Sequence, residues 1–244
     1  MPGSPHDRLF KFTFGQPEHA ASVLRTVLPA ALLERLDLRT LEPAPGSFVD
    51  AALSERHADL LFRVQIDGHS ARVYLLFDHQ SGIDRQMPLR LLRYMTRIWT
   101  AEADAGAEKL PPIIPCLLYH GDTPWSGPRF LHDQLDLGAD LPPETVAGLV
   151  PDFRFLLVDL SGHTDADLQS GTLTAMAAVA LLLFKHARHA DDLTDRLVRW
   201  SGVLRQVMAA PNGLRALEAF ARYILQVSEG VTAPDLGRVL LAEL

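Results

Sequence analysis

Two apolar segments separated by an Asp-Gly pair constrain the fold of this chain more than any other feature. HADLLFRVQI (57–66) and ARVYLLFDHQ (71–80) each have the length and the β-branched and aromatic content of a strand. The intervening DGHS (67–70) has the composition of a tight hairpin turn. The sequence therefore predicts two adjacent antiparallel strands, the second of which ends abruptly in an acid, a histidine and an amide.

Strand-like and helical patterns surround this hairpin. Further strands are predicted at PPIIPCLLYHG (111–121) and FRFLLVDL (153–160), and GSFVDAAL (46–53) is predicted to be a short strand or turn. Apolar spacing and boundary residues predict helices at 18–28, 30–36, 87–103, 173–188, 191–208 and 214–227. We therefore expect an α/β core with a mixed sheet over residues 1–165, and a C-terminal helical region over 166–244 that packs on or next to it.

Composition narrows the class of protein. Of the 244 residues, 48% are hydrophobic and 22% are charged, which is typical of a globular protein. No apolar run reaches the roughly 18 residues of a membrane helix, and the N-terminus lacks the apolar segment of a signal peptide. The only cysteine, Cys116, excludes an internal disulfide and is expected to be a small core residue. We expect a cytoplasmic protein without a membrane partner.

The charge balance differs between the two parts of the chain. A net charge of −7 argues at first against a nucleic-acid partner. Residues 1–100, however, contain 12 Lys and Arg against 11 Asp and Glu, so the acidic excess lies entirely in residues 101–244. A basic surface in the first part is therefore compatible with the total.

Three polar residues of the predicted hairpin indicate a metal site. Asp78 and Gln80 share one face of their strand because side chains alternate, and Asp59 interrupts the apolar run of the preceding strand. If the turn pairs these strands, Asp59 and Asp78 lie side by side and repel each other. A hard divalent cation such as Mg²⁺ relieves that repulsion, and the Gln80 amide oxygen can then hold a water or a phosphate in position. The competing interpretation is that both acids pair with Arg63 or Arg72, or are exposed at a turn.

A row of arginines follows this segment. Arg90, Arg93 and Arg97 lie on one face of the predicted helix, and Arg85 precedes it. Guanidinium groups close to a metal site are suited to a phosphodiester backbone. The competing interpretation is a solvated helix face whose charges pair with nearby acids.

Four segments that occur in order from His6 to Trp125 resemble the Rpn / YhgA-like family of recombination-promoting nucleases and transposase-like proteins. They are HDRLFKFTF, GSFVDAALSERHADLLFRV, VYLLFDHQSGIDRQMPLRLLRYM and PPIIPCLLYHGDTPW. The resemblance implies a PD-(D/E)xK nuclease core, in which helices flank a sheet that carries a metal-dependent DNA-cleaving site. It covers about half of the chain, and the C-terminal half offers no comparable motif.

The resemblance also implies roles for individual residues. It places metal binding on Asp59, Asp78 and a strand carbonyl near His79, with Mg²⁺ as the ion and Mn²⁺ or Ca²⁺ as substitutes. It places Gln80 at the position of a catalytic lysine, and it makes Asp7 and Lys11 helpers near the site. The family usually has glutamate where this chain has Asp78, and the shorter side chain reaches about one methylene less far. The hydrolytic mechanism so implied has the ion polarise the scissile phosphate and deliver hydroxide.

Other motifs predict structure and not chemistry. The pair His186 and His189 has no third ligand at a suitable spacing and is interpreted as a surface pair. YHGDTPW (119–125) is interpreted as a packed turn, with a wall of a DNA cleft as the alternative. The Leu- and Ala-rich faces of the C-terminal helices are interpreted as core or dimer surface, and homodimer formation is left open.

Two functional hypotheses follow. The first is a metal-dependent DNA endonuclease of the recombination or transposase type. The second is a catalytically weak or inactive module with the nuclease fold that binds DNA or another protein. The aspartate at position 78 and the acidic second part of the chain keep this second hypothesis open.

Overall fold

A mixed sheet forms the centre of the molecule. The computed structural model describes residues 4–44, 60–67, 69–137, 141–188 and 192–243. Within these residues the strands, which lie side by side in chain order, are β1 (Leu36–Pro43), β2 (Leu60–Ile66), β3 (His69–Gln80), β4 (Ile113–Tyr119) and β5 (Leu156–Asp159). The first three are antiparallel, whereas β3, β4 and β5 are parallel. The predicted α/β class with a mixed sheet is therefore confirmed.

The predicted hairpin is present as β2 and β3. Ile66 pairs with His69 at the turn, and Leu60 pairs with Phe77 at the other end. Asp67 adopts a left-handed φ of 52°, which aspartate tolerates better than most residues because its short side chain can bond locally. The predicted segment at 46–53 and residues 57–59 lie outside the described residues.

The strand β1 was not predicted, and it corrects one of the predicted helices. The predicted helix at 30–36 ends at Leu33, and Leu36 already begins β1. Leu36, Leu38 and Leu41 of this strand are buried in the core, although a register shift interrupts the pairing with β2. Pairing with β2 and burial of these leucines therefore outweigh the helical propensity of the preceding residues.

Helices precede, connect and follow the strands. In the part of the chain that the structure describes, they are α1 (Pro5–Phe14), α2 (Pro17–Val27), α3 (Ala30–Leu33), α4 (Met87–Asp104), α5 (Asp165–Gln169), α6 (Ala175–His186), α7 (Leu193–Arg199), α8 (Ser201–Met208), α9 (Gly213–Val227) and α10 (Ala233–Glu243). Three of them, α1, α5 and α10, were not predicted. Among these helices, none combines the length and apolar character needed to cross a bilayer.

A second correction concerns the helix predicted at 191–208. It is divided at Trp200 into α7 and α8, because the backbone there leaves helical geometry with ψ near 6°. The Trp200 ring is 1% exposed, and its Nε1 donates a hydrogen bond to the Asp165 carboxylate at 3.1 Å. Burying this large ring while satisfying its N–H accounts for the break.

Helices cover both faces of the sheet. On one face, α4 packs Met87, Leu91 and Ile98 against Leu61 and Leu117 of the strands. This burial follows from the helical spacing of apolar residues in α4, which leaves Arg93 and Arg97 on the outer side.

The opposite face of the sheet lies under α1, α2 and α6. Phe77 of β3 is fully buried there, with the rings of Phe10 and Phe14 at 5.1 and 5.6 Å. A single cluster of buried residues extends from Leu9 in α1 to Val239 in α10. The C-terminal helices therefore pack directly on the sheet core, while the predicted boundary at residue 165 stays a prediction.

Candidate functional site

The parallel strands β3, β4 and β5 end at one edge of the sheet, and polar residues gather there. Gln80, Tyr119 and Asp159 are in register across this edge. The backbone N–H of His120 also donates to the carbonyl of Gln80 at 2.9 Å, which extends the pairing by one residue. Polar groups at the carboxyl ends of parallel strands are a common location for binding sites in α/β proteins. We refer to these residues, together with Asp78 and His79, as the strand edge.

Of the predicted metal ligands, Asp78 and His79 belong to this edge. Asp78 lies in β3, where its backbone is in register with Leu117 of β4. Asp59 lies outside the described residues, so its predicted meeting with Asp78 stays a prediction. The described register places Leu60 opposite Phe77, and the sequence neighbours of these two residues are Asp59 and Asp78. Within the described residues, no group of three or more His, Cys, Asp or Glu side chains is arranged to hold a metal ion.

Gln80 and His79 leave β3 on opposite faces, as neighbouring residues of a strand do. His79 is on the face of α1, where its ring lies 4.6 Å from that of Phe10. Gln80 is half-buried and shares its face with Tyr119. The strand edge therefore presents Gln80 on one face of the sheet and His79 on the other.

The predicted helper residues lie on α1. The Lys11 ammonium group is 41% exposed and forms an ion pair with Asp7 at 3.2 Å. Ser4 accepts a hydrogen bond from the Asp7 N–H and caps the helix, which fixes the start of α1. Because Phe10 of the same helix packs on Phe77 and His79, Asp7 and Lys11 are held on the His79 side of the strand edge.

The four predicted DNA-contacting arginines are not equivalent. Arg85, Arg93 and Arg97 are exposed. The Arg90 side chain is only 14% exposed, and its Nη1 donates to the Asp84 carboxylate at 3.0 Å. Arg90 therefore fixes the loop that precedes α4, and the exposed guanidinium groups are those of the other three residues.

YHGDTPW forms a packed turn, as predicted. Tyr119 is 2% exposed, and its ring meets that of Trp125 edge to face at 5.1 Å. The Trp125 backbone N–H donates to the Asp159 carboxylate at 2.8 Å. A side chain at Gly121 would collide with the Tyr119 ring, so only glycine allows this close approach. Asp159 and Trp125 thus stabilise the end of β5.

Cys116 is a core residue, also as predicted. It is fully buried, and burial raises the pKa of its thiol, which keeps it protonated and unreactive.

His186 differs from the predicted surface pair, because its Nε2 lies 2.6 Å from the Asp165 carboxylate in a half-buried position. His189 lies outside the described residues.

A cluster of histidine rings on the α1 side of the strand edge was missed in the sequence analysis. The rings of His6 and His79 lie 5.1 and 5.8 Å from that of His120, and His120 also stacks on Phe184 at 4.7 Å. The His6 Nδ1 lies 2.8 Å from the Tyr223 hydroxyl of α9. The three histidines are far apart in sequence, so no spacing pattern reveals that they meet.

Burial lowers the pKa of two of these histidines, His6 and His120. Burial, with smaller contributions from Arg188 and His79, lowers the pKa of His6 to about 4. Burial also lowers the pKa of His120 well below its ordinary value, and the charges of His79, His6 and Arg188 act in the same direction. Both ring nitrogens of His120 are buried without a hydrogen-bond partner among the described residues. The His6 and His120 rings are therefore neutral in the folded chain near pH 7.

Acid is expected to destabilise the folded chain through this cluster. The unfolded chain protonates its histidines near pH 6.5, whereas folded His120 resists protonation, so the free energy of unfolding falls as the pH drops through that range. His120 can account for up to about 2 kcal/mol of this loss between pH 7 and pH 5, the limit that applies when the folded ring stays neutral throughout. Urea unfolding at both pH values measures this loss, and His120→Phe should reduce it.

His132→Asn is a control that should change the pH dependence of stability in the opposite direction. The hydrogen bond between the half-buried His132 ring and the Asp152 carboxylate raises the pKa of His132, so His132 stabilises the fold in acid and its loss should steepen the pH dependence. An unchanged pH dependence in His120→Phe would show that the buried cluster does not govern acid stability.

Comparison with known proteins connects the strand edge to a family. The family model described as "Putative transposase, YhgA-like" matches residues 4–215 of this chain. This range begins in front of α1 and includes every residue of the strand edge. No solved structure matches the chain.

Three curated relatives from Escherichia coli are similar over most of the chain. The recombination-promoting nuclease RpnA is 30% identical over 95% of this chain and 75% of its own length. The inactive recombination-promoting nuclease-like protein RpnE is 31% identical over 80% of this chain and 63% of its own length. The recombination-promoting nuclease RpnC is 32% identical over 77% of this chain and 60% of its own length. The chain thus matches only about two thirds of the length of these relatives.

Proposed function

Because the chain belongs to the family described as "Putative transposase, YhgA-like", we propose that it is a metal-dependent DNA endonuclease with a PD-(D/E)xK core. RpnA and RpnC are named as recombination-promoting nucleases, which supports hydrolysis of DNA phosphodiester bonds as the chemistry. The mixed sheet with helices on both faces is the architecture that such a core requires.

One observation carries the proposal most directly. In the β2–β3 hairpin, Leu60 pairs with Phe77. In the sequence, the next residue away from the turn is Asp59 beside Leu60 and Asp78 beside Phe77. Continuing this antiparallel register by one residue would bring Asp59 and Asp78 together, and this continuation is part of the proposal. Two carboxylates at adjacent positions of neighbouring strands would repel each other without a cation between them.

The donor set has the chemistry of a magnesium site. Asp59, Asp78 and the carbonyl of His79 would supply only oxygen ligands, which Mg²⁺ prefers and which Mn²⁺ and Ca²⁺ accept. When bound there, the ion would supply Lewis-acid polarisation of the phosphate and a lowered pKa for water.

The remaining residues would orient the substrate. The Gln80 amide, which cannot act as a base, would position the attacking water or a phosphate oxygen. Lys11 lies on the His79 side of the sheet, opposite to Gln80, so it would offset charge on a phosphate further along the DNA and not at the cleaved bond. The exposed Arg85, Arg93 and Arg97 would contact the DNA backbone, with Arg90 acting indirectly by holding Asp84.

A second candidate function is a DNA-binding or protein-interaction module that retains the fold without efficient cleavage. RpnE, which is 31% identical to this chain, is named as inactive. Asp78 is also shorter than the glutamate that the resemblance implies at this position. Retention of DNA binding with no cleavage in any divalent cation would favour this function over the first.

Metal binding and cleavage can be tested separately with the purified chain. We expect Mg²⁺ or Mn²⁺ to raise the melting temperature, because a ligand that binds only the native state stabilises it by about 2.7 kcal/mol at a hundredfold excess over its dissociation constant. Supercoiled plasmid should be nicked in Mg²⁺ and remain intact in EDTA. Absence of both a thermal shift and nicking would contradict the proposed endonuclease.

A further inference from the structure

A short segment beyond β5 extends the sheet by one more paired stretch. Phe130 forms an isolated antiparallel bridge with Arg154. The Leu131 N–H donates to the carbonyl of Phe153 at 3.1 Å, and the Phe155 N–H donates to that of Arg129 at 3.4 Å. These bonds fix the backbone of 129–131 against the edge of the sheet. Gln134, three residues further on, accepts a hydrogen bond from the Leu89 N–H of α4 at 3.0 Å.

The side chains of this segment form an exposed column of planar groups. The Phe130 ring stacks on the His132 ring at 4.8 Å with an angle of 24° between them. The Arg154 guanidinium lies 5.9 Å from the centre of the Phe130 ring. Phe130 is 36% exposed, and Arg154 is also exposed. A large aromatic ring held in place on the surface is available to a planar ligand at little cost in side-chain entropy.

Acidic residues hold this column in position, and their carboxylates already accept hydrogen bonds from it. The Asp133 carboxylate accepts hydrogen bonds from the N–H groups of Arg129 and Phe130 at 3.1 and 3.0 Å. The Asp152 carboxylate accepts from the His132 N–H at 3.1 Å and lies 2.8 Å from its ring nitrogen. Asp133 also lies 3.5 Å from His132. Their charge is therefore directed at His132 and at the backbone.

The positive charges of Arg129 and Arg154 are not offset in this way. Among the residues that the structure describes, neither Arg129 nor Arg154 forms an ion pair with a carboxylate, and the Nε of Arg129 is buried without a hydrogen-bond partner. Burial and the charge of Arg154 together lower the pKa of Arg129. An anion next to either guanidinium group would offset its charge, and the planar donors of arginine match a phosphate.

We infer that Arg129, Phe130, His132 and Arg154 form a platform that binds a DNA strand, with a phosphate at the two guanidinium groups and an unpaired base against the exposed rings. This inference rests on the proposed function, since it takes DNA as the ligand. Stacking on a protein ring requires a base that is free of its own duplex neighbours, so the platform favours single-stranded DNA over duplex. It lies beside β5 and shares no residue with the strand edge or with α4.

Binding of a fluorescein-labelled oligothymidine in EDTA, measured by fluorescence anisotropy, tests this inference without any need for cleavage. The double variant Arg129→Gln and Arg154→Gln is expected to bind about tenfold more weakly at low salt, with a shallower dependence of affinity on salt. Phe130→Ala is expected to lose about tenfold for the oligothymidine and to retain wild-type affinity for a duplex of equal length.

A matched control removes two arginines elsewhere. Arg39 and Arg238 are 85% and 78% exposed and pair with Asp37 and Asp235, so Arg39→Gln with Arg238→Gln makes the same change in net charge. Wild-type affinity in the Arg129/Arg154 variant, or an equal loss in the control, overturns the platform. If the double variant does not fold, Arg154→Gln alone, at an exposed site, is measured in its place and is expected to weaken binding by a smaller factor.

The same assay separates this inference from the proposed function. A wild-type chain that binds and nicks DNA while the platform variants bind normally overturns the platform alone. A wild-type chain that binds neither oligonucleotide nor duplex overturns both.

Discussion

Asp78→Ala is expected to nick supercoiled DNA at least about a hundredfold more slowly than the wild-type chain, because it removes one of the two carboxylates proposed to hold Mg²⁺. Asp59→Ala is expected to behave in the same way. Without metal, either change should leave the melting temperature unchanged or slightly raised, since it removes the repulsion between two like charges. Initial nicking rates and thermal unfolding with and without Mg²⁺ measure both effects.

Two controls sharpen this experiment. Asp122→Ala removes a carboxylate whose side chain is 64% exposed just beyond the strand edge, and it should nick at nearly the wild-type rate. Asp78→Glu restores the longer side chain that the family resemblance implies, and it should nick at least as fast as the wild-type chain. Wild-type nicking by Asp78→Ala would remove the basis for the proposed site.

The hairpin was predictable because its signals are local. An Asp-Gly pair between two apolar segments determines both the turn and the antiparallel pairing, and the structure shows β2 and β3 joined in this way. The alternation of side chains along β3 was also predictable. Phe77 is buried in the core on one face, and Gln80, three residues later, lies on the other face. Local pattern therefore located the strand edge.

Elements that depend on distant partners were not predictable. The leucines of β1 become strand residues only by pairing with β2, and the preceding sequence favours a helix. Trp200 interrupts a helical pattern because Asp165, 35 residues earlier, accepts its N–H. In both places tertiary contacts override local propensity.

The same distinction applies to charged and titratable residues of the site. Spacing predicted that Arg90, Arg93 and Arg97 share a helix face, but only the structure shows that Arg90 forms an ion pair with Asp84. The ring contacts of His6, His79 and His120 join three separate elements, and the lowered pKa values of His6 and His120 depend on burial that the sequence does not display. Residue type indicates what a side chain can do, whereas its environment determines whether it does so.

Phe10→Ala is expected to cause the largest loss of stability, about 3–5 kcal/mol in the free energy of unfolding. Phe10 is fully buried, and its ring lies 5.4 Å from Phe14, 5.1 Å from Phe77 and 4.6 Å from His79. The substitution would leave a cavity between α1 and the strand edge. For a chain of this size, we expect a fall of roughly 10 °C in melting temperature, measured by circular dichroism.

Phe12→Ala is the matched control, because it truncates the same residue type on the same helix. Phe12 is only partly buried and lies beneath Arg215 at 5.9 Å, so its loss should cost about 1–2 kcal/mol. The comparison isolates the contact between α1 and the strand edge from the helix propensity of alanine. If both variants lose the same small amount of stability, α1 does not pack on β3 as described. A much larger loss in Phe10→Ala would show that Phe10 anchors α1, the helix that carries Asp7 and Lys11, to β3.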